Sequence, residues 1–274
     1  MLKIIQFLNL ILPFLYIISF SVYALDFFKE KINLGNSKRL FLLVTLFTHF
    51  SYLIFRIIEF DHPPITNKFE LFTVLAFCIC FAYFVLELVT DVRETGLFII
   101  IFSVGFQLIS SIFIENLYDV KEVLRNQLLG IHVISALIGH AGITLSAVYG
   151  TLFLILYRKL KTHNYGLIFN KLPNLEILEK LSFNSIVIGY CLFTVAILIG
   201  YLWLPSAFPD FNYFDPKIIS ASIIWTVYTI GIIAKVFLKW YGRKVIIITV
   251  IGFSFTLISM AASLIIANTF HSFT

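Results

Sequence analysis

Eight continuous apolar stretches, each about as long as a bilayer-spanning helix, constrain what this chain can fold into. They cover residues 4–25, 40–58, 70–90, 97–115, 131–157, 183–204, 218–238 and 245–268. A hydrocarbon core about 30 Å thick takes roughly 20 apolar residues per helix. The stretches do not alternate between apolar and polar residues as barrel strands do. The sequence therefore predicts an all-α, polytopic integral membrane protein with about eight transmembrane helices, forming a single transmembrane domain over residues 1–274.

Basic residues are concentrated in alternate loops. The loops after the first, fifth and seventh stretches hold Lys29, Lys31, Lys38, Arg39, Arg158, Lys159, Lys161, Lys171, Lys180, Lys239, Arg243 and Lys244. The loops after the second, fourth and sixth stretches hold Lys68, Lys121, Arg125 and Lys217. The positive-inside rule then predicts both termini and the loops 59–69, 116–130 and 205–217 on the outer side. This bias accounts for most of the net charge of +5, so we expect a membrane-lipid environment and no nucleic-acid partner.

The three cysteines, Cys78, Cys80 and Cys191, all lie inside predicted spans. No Cys-x-x-Cys pair occurs in the sequence, so the chain has neither a thiol–disulfide motif nor an attachment site for c-type haem. If the protein acts on thiols, they belong to a partner.

Two histidines are predicted at the outer membrane face. His132 opens the fifth apolar stretch, and His271 follows the eighth. Two imidazoles on opposite sides of a flat, aromatic-lined space are the ligands of a hexacoordinate haem iron. The alternative is that each is an interfacial anchor, satisfied by water and lipid head groups.

Two further histidines lie within apolar stretches. His49 is in the second, and His140 is about 12 Å deeper than His132 along the fifth. Ionisable residues inside a membrane are candidates for function, so these two could form a second bis-histidine site. Alternatively, each hydrogen-bonds a hydroxyl group on a neighbouring helix. His62 belongs to a Pro-Pro turn before the third stretch, and His163 is predicted to be solvated.

An aromatic segment separates the sixth and seventh stretches. It contains Trp203, Phe208, Phe211 and Phe214. Such rings anchor membrane proteins at the interface, and they could also stack on a porphyrin face. Asp215 before Pro216 is typical of a helix start, with Asp as the N-cap.

Four segments resemble the haem-handling cytochrome c assembly proteins, the CcsA, CcmC and ResC group with their HemX relatives. His62–Glu70 is similar to a His-x-Pro-x-Thr/Ser-Asn-x-Tyr/Phe-Glu segment of that family. Leu124–Val133 is similar to the approach to the first external histidine. Trp203–Trp225 is similar to the tryptophan-rich WWD segment, and Asn268–Phe273 to the ending that carries the second external histidine.

The resemblance implies that His132 and His271 are axial ligands of haem b iron and that the aromatic loop, including Asp215, holds the porphyrin. It also implies that His49 is an intramembrane haem-binding histidine. In the family, haem is delivered at the outer face for attachment to apocytochrome c. We therefore expect a multi-pass protein of the bacterial inner membrane that partners haem, apocytochrome c and a second assembly subunit with a large external domain. It could form part of a haem lyase or synthetase complex; no catalytic residue is assigned.

The chain also departs from the family pattern. Phe208, Asn212, Phe214 and Ser220 stand at positions aligned with tryptophan, and Ile233 replaces a histidine. These departures fit a HemX-like regulator of haem biosynthesis with weak or no ligase role, for which the inner loop 158–182 would be the contact surface. A third alternative is a b-type electron-transfer subunit that uses His49 and His140.

Overall fold

The computed structural model describes residues 1–29, 34–163, 165–208 and 211–265. Eight long helices in these ranges are α1 (Leu2–Phe28), α2 (Ser37–Phe60), α3 (Lys68–Thr90), α4 (Gly96–Phe113), α5 (Gln127–Lys161), α7 (Leu175–Leu202), α9 (Pro216–Val236) and α10 (Arg243–Ile265). Short helices α6 (Leu167–Lys171) and α8 (Leu204–Ala207) and a 3₁₀ turn at Glu122–Arg125 lie between them.

The eight long helices are long and apolar enough to cross a membrane, which confirms the all-α polytopic prediction. The sidedness of the termini stays a prediction. The largest boundary difference is at α7, which begins eight residues before the apolar stretch at 183–204. Asn174 caps this helix by accepting a hydrogen bond from the Ile177 N–H at 2.8 Å. Lys180, which the sequence placed in a loop, therefore lies in α7. The apolar stretch began too late because a hydropathy window does not detect the amphipathic first turns of a helix.

The first compact unit, Met1–Gly130, contains the four-helix bundle α1–α4. Helices α1 and α3 each pack against both α2 and α4, so the four form a closed ring of neighbours. Asn67 starts α3 by accepting from the backbone N–H groups of Phe69 and Glu70. Helices α2 and α3 end at Asp61 and Asp91, which adopt left-handed backbone conformations with φ of 55° and 57°.

Polar contacts hold this first unit together at several levels. The buried pair Arg56 and Glu70 lies at one end. At the other end, the buried Glu87 carboxylate accepts from the Tyr23 hydroxyl at 2.6 Å and from Arg39 Nε at 2.8 Å. Beyond the end of α3, hydrogen bonds from Arg93 and Arg39 hold the pKa of the Asp91 carboxyl below its usual range.

The second compact unit begins at Ile131 and contains most of α5 with α6–α10. Helices α5 and α7 touch through glycines: a Cβ at Gly142 would lie 2.7 Å from the Gly189 Cα. Helix α5 also contacts α10, since a Cβ at Gly150 would lie 3.3 Å from the Ile246 side chain. Helix α9 packs against α7 and α10. Close backbone approach through small residues is typical of helices packed within membranes.

Candidate haem-binding site

His132 lies near the start of α5 and faces the last turns of α7. Its Nδ1 is 2.8 Å from the backbone carbonyl oxygen of Ala196. Gly200 leaves room for the imidazole, because a Cβ at that position would lie 3.2 Å from His132 Cε1. The structure therefore brings this predicted site residue against the end of α7 that leads into Trp203 and the aromatic loop.

The partner of His132 fixes its tautomer. A carbonyl oxygen only accepts hydrogen bonds, so Nδ1 must carry the proton and donate to Ala196. In the neutral ring, Nε2 then bears the lone pair. Histidines that ligate metals have the same arrangement, in which the second ring nitrogen donates to a carbonyl or carboxylate and orients the ligand. The side chain of His132 thus fits an axial ligand of haem iron.

The aromatic segment leaves α7 directly after this contact. Trp203 is the C-cap residue of α7. Its side chain is half-buried, and so are the side chains of Phe208 and Phe211. Phe211 packs edge-on against Tyr213, with ring centroids 4.8 Å apart. Phe214 has no such cover: its side chain is 80% exposed. A ring held in a loop with its faces uncovered is able to stack on a flat ligand.

The loop is attached at both of its ends. Tyr213 stacks on Tyr201 of α7, with centroids 6.0 Å apart. Asp215 caps α9, accepting from the backbone N–H of Lys217 at 2.8 Å, which confirms the predicted cap and the helix start at Pro216. Asp215 is buried, so its carboxylate serves the helix start in this structure. Residues 209 and 210 lie outside the described part of the chain.

Trp225, at the far end of the WWD-like segment, packs inside the second unit. Its indole N–H donates to the Thr194 hydroxyl at 2.9 Å, and the ring stacks on Tyr190. Ser220 accepts from Ser259 of α10 at 2.8 Å. Ile233, which the resemblance places where a histidine is expected, is 45% exposed.

His140 is also on α5, two turns deeper than His132. Its Nδ1 donates to the Ala136 carbonyl at 2.7 Å, and its ring meets Phe193 of α7 edge-on at 5.1 Å. The donation again leaves Nε2 as the nitrogen with the lone pair. Gly139 allows close helix packing here, because its Cβ would lie 2.9 Å from the Phe193 side chain.

His49 has a different environment. Its side chain is fully buried in the first unit, with Nδ1 2.8 Å from the Tyr16 hydroxyl and Nε2 3.0 Å from the Thr73 hydroxyl. Thr73 in turn donates to Gln107 at 2.8 Å, so the network joins all four helices of the bundle. Both ring nitrogens of His49 are occupied, and binding iron would require one of these bonds to break. This is the arrangement of the alternative hypothesis, hydrogen bonding to hydroxyl groups on neighbouring helices; the ligand role of His49 stays a prediction.

His271, the second proposed axial ligand, lies outside the described residues, as does the rest of the segment from 266 to 274. His62 is buried, and both of its ring nitrogens face backbone carbonyl oxygens, those of Pro63 and Leu117. His163 is exposed in the loop after α5, which agrees with its predicted solvation, and contacts the Tyr165 hydroxyl.

Sequence reasoning missed the polar residues that organise the first unit. Arg56 is only 1% exposed and Gln107 is fully buried. The available signal was a charged or amide side chain inside an apolar stretch, which is costly in a membrane and therefore needs a partner. Gln107 also donates to Ser111, four residues along its own helix. The partners on other segments lie 14 to 60 residues away along the chain, beyond any local pattern.

Comparisons with known proteins identify the family to which the chain is similar. The family described as Cytochrome C assembly protein matches residues 65–271, a range that includes His132, the aromatic loop and His271. The cytochrome c biogenesis protein CcsA of Mesostigma viride is 24% identical over 236 residues, 77% of each chain. CcsA of Guillardia theta is 25% identical over 217 residues, 72% of each chain. CcsA of Thermosynechococcus vestitus is 31% identical over 98 residues, 36% of this chain and 31% of the relative.

The family match extends over most of the chain, and several relatives align over more than two thirds of it. The eight apolar helices are consistent with that match. The chain belongs to the cytochrome c assembly protein family.

Proposed function

We propose that this protein binds haem through His132 and presents it for attachment to apocytochrome c. Membership of the family gives the chain a role in cytochrome c biogenesis. The relatives named above are cytochrome c biogenesis proteins, which favours an assembly role over a regulator of haem synthesis. The haem type, taken here as b because the chain lacks a covalent attachment motif, is part of the proposal.

The observation that carries the proposal is the hydrogen bond from His132 Nδ1 to the Ala196 carbonyl. It orients the ring against α7 and keeps the lone pair on Nε2, which is the state required of an iron ligand. His140 has the same tautomer, so His132 is distinguished by its place against the end of α7 that leads into the aromatic loop.

The aromatic loop supplies the second element of the proposed site. Phe214 offers an exposed ring face, while Trp203, Phe208 and Phe211 form the half-buried base of the segment. His271 is proposed as the second axial ligand. Asp215 contributes by holding the start of α9 and therefore the end of the loop.

Bound haem would supply the iron and the vinyl groups that form thioether bonds with cysteine thiols of the apocytochrome. This chain would hold and orient the haem and shield part of it from water. The thiols come from the apocytochrome, and a second assembly subunit with a large external domain is the proposed partner. The site would lie at the outer face of a bacterial inner membrane.

Absorption spectra of the detergent-purified protein test this function. We expect a Soret band and sharp reduced α and β bands from a bis-histidine haem in the wild-type protein. His132→Ala and His271→Ala should lose or broaden these bands, since each removes one axial ligand. His163→Ala is the matched control, because this exposed loop histidine should leave the spectrum unchanged.

A wild-type protein that is colourless and takes up no added haemin would refute the proposal. So would unchanged spectra in both His132→Ala and His271→Ala. Restoration of the bands in His132→Ala by added imidazole would support direct ligation over an indirect effect on folding.

A further inference from the structure

The segment His62–Glu70 lies beside the chain that follows α4. Three residues of that chain, Glu115, Asn116 and Leu117, each receive a hydrogen bond from α2 or from the turn after it. These contacts all lie within the first compact unit. The segment therefore has a structural role that its resemblance to a family motif does not imply: it contacts the chain after α4.

Arg56 is the centre of these contacts. Its guanidinium donates from Nη1 to the Asn116 side-chain oxygen at 2.9 Å and from Nη2 to the Glu115 carbonyl at 3.2 Å. Nη2 also donates to Glu70 at 2.5 Å, and the guanidinium carbon lies 4.8 Å from the centre of the Phe60 ring. A guanidinium buried in this way is held in one orientation, because its planar donors have fixed directions.

Glu70 fixes Arg56 from the side of α3. One carboxylate oxygen accepts from Arg56, while the other accepts from the Thr66 backbone N–H at 2.8 Å and from its hydroxyl at 2.7 Å. Asn67 caps the same helix end. The carboxylate therefore connects the start of α3, the turn before it and the arginine of α2.

His62 makes a second, separate contact with the same chain. Its Nε2 hydrogen-bonds to the Leu117 carbonyl at 2.9 Å, and the side chain is 3% exposed. Further along, the Tyr118 ring packs on Phe60, and Arg125 pairs with Asp61 at 3.4 Å. The chain after α4 is thus attached to the end of α2 at several successive points.

This attached chain leads directly into the helix that carries His132. Leu124, in the 3₁₀ turn, and Leu129 are each 2% exposed, so the chain stays packed up to the start of α5. Asn126 caps α5 by accepting from the Leu128 N–H at 2.8 Å. His132 follows six residues after this cap on the same helix.

We propose that Arg56, Glu70 and His62 form a clamp that holds the loop 115–125 and, through the start of α5, positions His132. They are positioning residues that do not themselves contact haem. The part that concerns His132 rests on the proposed function, whereas the clamp on the loop stands on the contacts alone.

Limited trypsin digestion and haemin titration of the purified full-length protein test the two parts separately. Lys121 and Arg125 are exposed trypsin sites within the clamped loop. Asn116→Ala and His62→Ala each remove one contact and leave the Arg56–Glu70 pair in place. Since a lost hydrogen bond shifts a local opening equilibrium about fivefold, we expect cleavage at these sites to accelerate by about that factor. Haemin binding should weaken in the same variants.

Two matched variants distinguish loss of the clamp contacts from general destabilisation of the protein. Asn116→Asp keeps an acceptor for Arg56 and should cleave and bind haemin like the wild type. Glu115→Ala should also do so, because Arg56 uses only the backbone carbonyl of this residue.

Wild-type cleavage rates in Asn116→Ala and His62→Ala would overturn the clamp. Faster cleavage with unchanged haemin binding would overturn the positioning of His132. If the wild-type protein binds no haemin, the proposed function and the positioning fail together, while the cleavage rates still decide whether the clamp exists.

Discussion

The two compact units differ in what fills their interiors. The first contains fully or almost fully buried charged and amide side chains, among them Arg56, Glu70, Glu87 and Gln107. The second is joined by close glycine contacts and aromatic stacking, and its ion pair Lys235–Glu179 retains side-chain exposures of 15% and 17%. Buried polar contacts specify one arrangement of helices, since each unpaired group would be costly in a membrane.

The histidines show the same contrast. Among the described residues, His49 in the first unit uses both ring nitrogens within the bundle, and His132 in the second uses one. The first unit therefore has the features of a scaffold. In the second unit, the Nε2 atom of His132 could bind a metal. From this difference we predict that His132 ligates iron more readily than His49 does.

The strongest test of the contrast is the loss of one buried charge. Glu70→Ala leaves Arg56 buried without its carboxylate, and we expect it to destabilise the protein by about 3–5 kcal/mol. Glu179→Ala breaks the partly exposed pair with Lys235 and should cost about 1 kcal/mol or less. Thermal unfolding in detergent measures both. Equal losses would remove the distinction between the two interiors.

Glycine substitutions test the packing of the second unit. Gly142→Ala places a Cβ 2.7 Å from the Gly189 Cα, and overpacking of this kind costs about 1–3 kcal/mol. Gly105→Ala in α4 is the control, because no atom beyond the adjoining backbone of its own helix lies within 4 Å of its Cβ position. That variant should be neutral or slightly stabilising, since alanine favours helix. A stable Gly142→Ala protein would contradict the close α5–α7 contact.

Replacing His49, the central histidine of the first unit, tests whether it has a structural role or ligates haem. His49→Ala removes hydrogen bonds to Tyr16 and Thr73, so we expect a loss of about 1–2 kcal/mol with haem content unchanged. Unfolding curves and haem absorbance of the same sample give both values. Loss of a haem band in a well-folded His49→Ala protein would establish the intramembrane ligand that the resemblance implies.

The smallest expected effect on stability concerns the aromatic loop. Phe214→Ala should change the free energy of unfolding by less than about 0.5 kcal/mol, because the ring is exposed. If the ring stacks on haem, the same change should weaken haemin affinity about two- to tenfold. Phe237→Ala, at a 75% exposed ring following the opposite end of α9, should alter neither property. Equal haemin affinities in the two variants would remove Phe214 from the proposed site.

Local patterns predicted the parts of the fold that depend on local physics. Hydropathy identified the eight helices, because spanning length is a property of one segment. The cap at Asp215 also follows from neighbouring residues. The sequence did not predict the partners of Arg56 or the contact of His132 with Ala196, because each joins distant segments.

The glycine contact between α5 and α7 also limits the routes by which a ligand can travel. At Gly139, Gly142 and Gly189 the two backbones touch, so a molecule as broad as a porphyrin cannot pass between these helices at the depth of His140. Helices α5 and α7 therefore leave no passage between them at that depth. A ligand of His132 would therefore reach it by another route than the space between α5 and α7 at this depth.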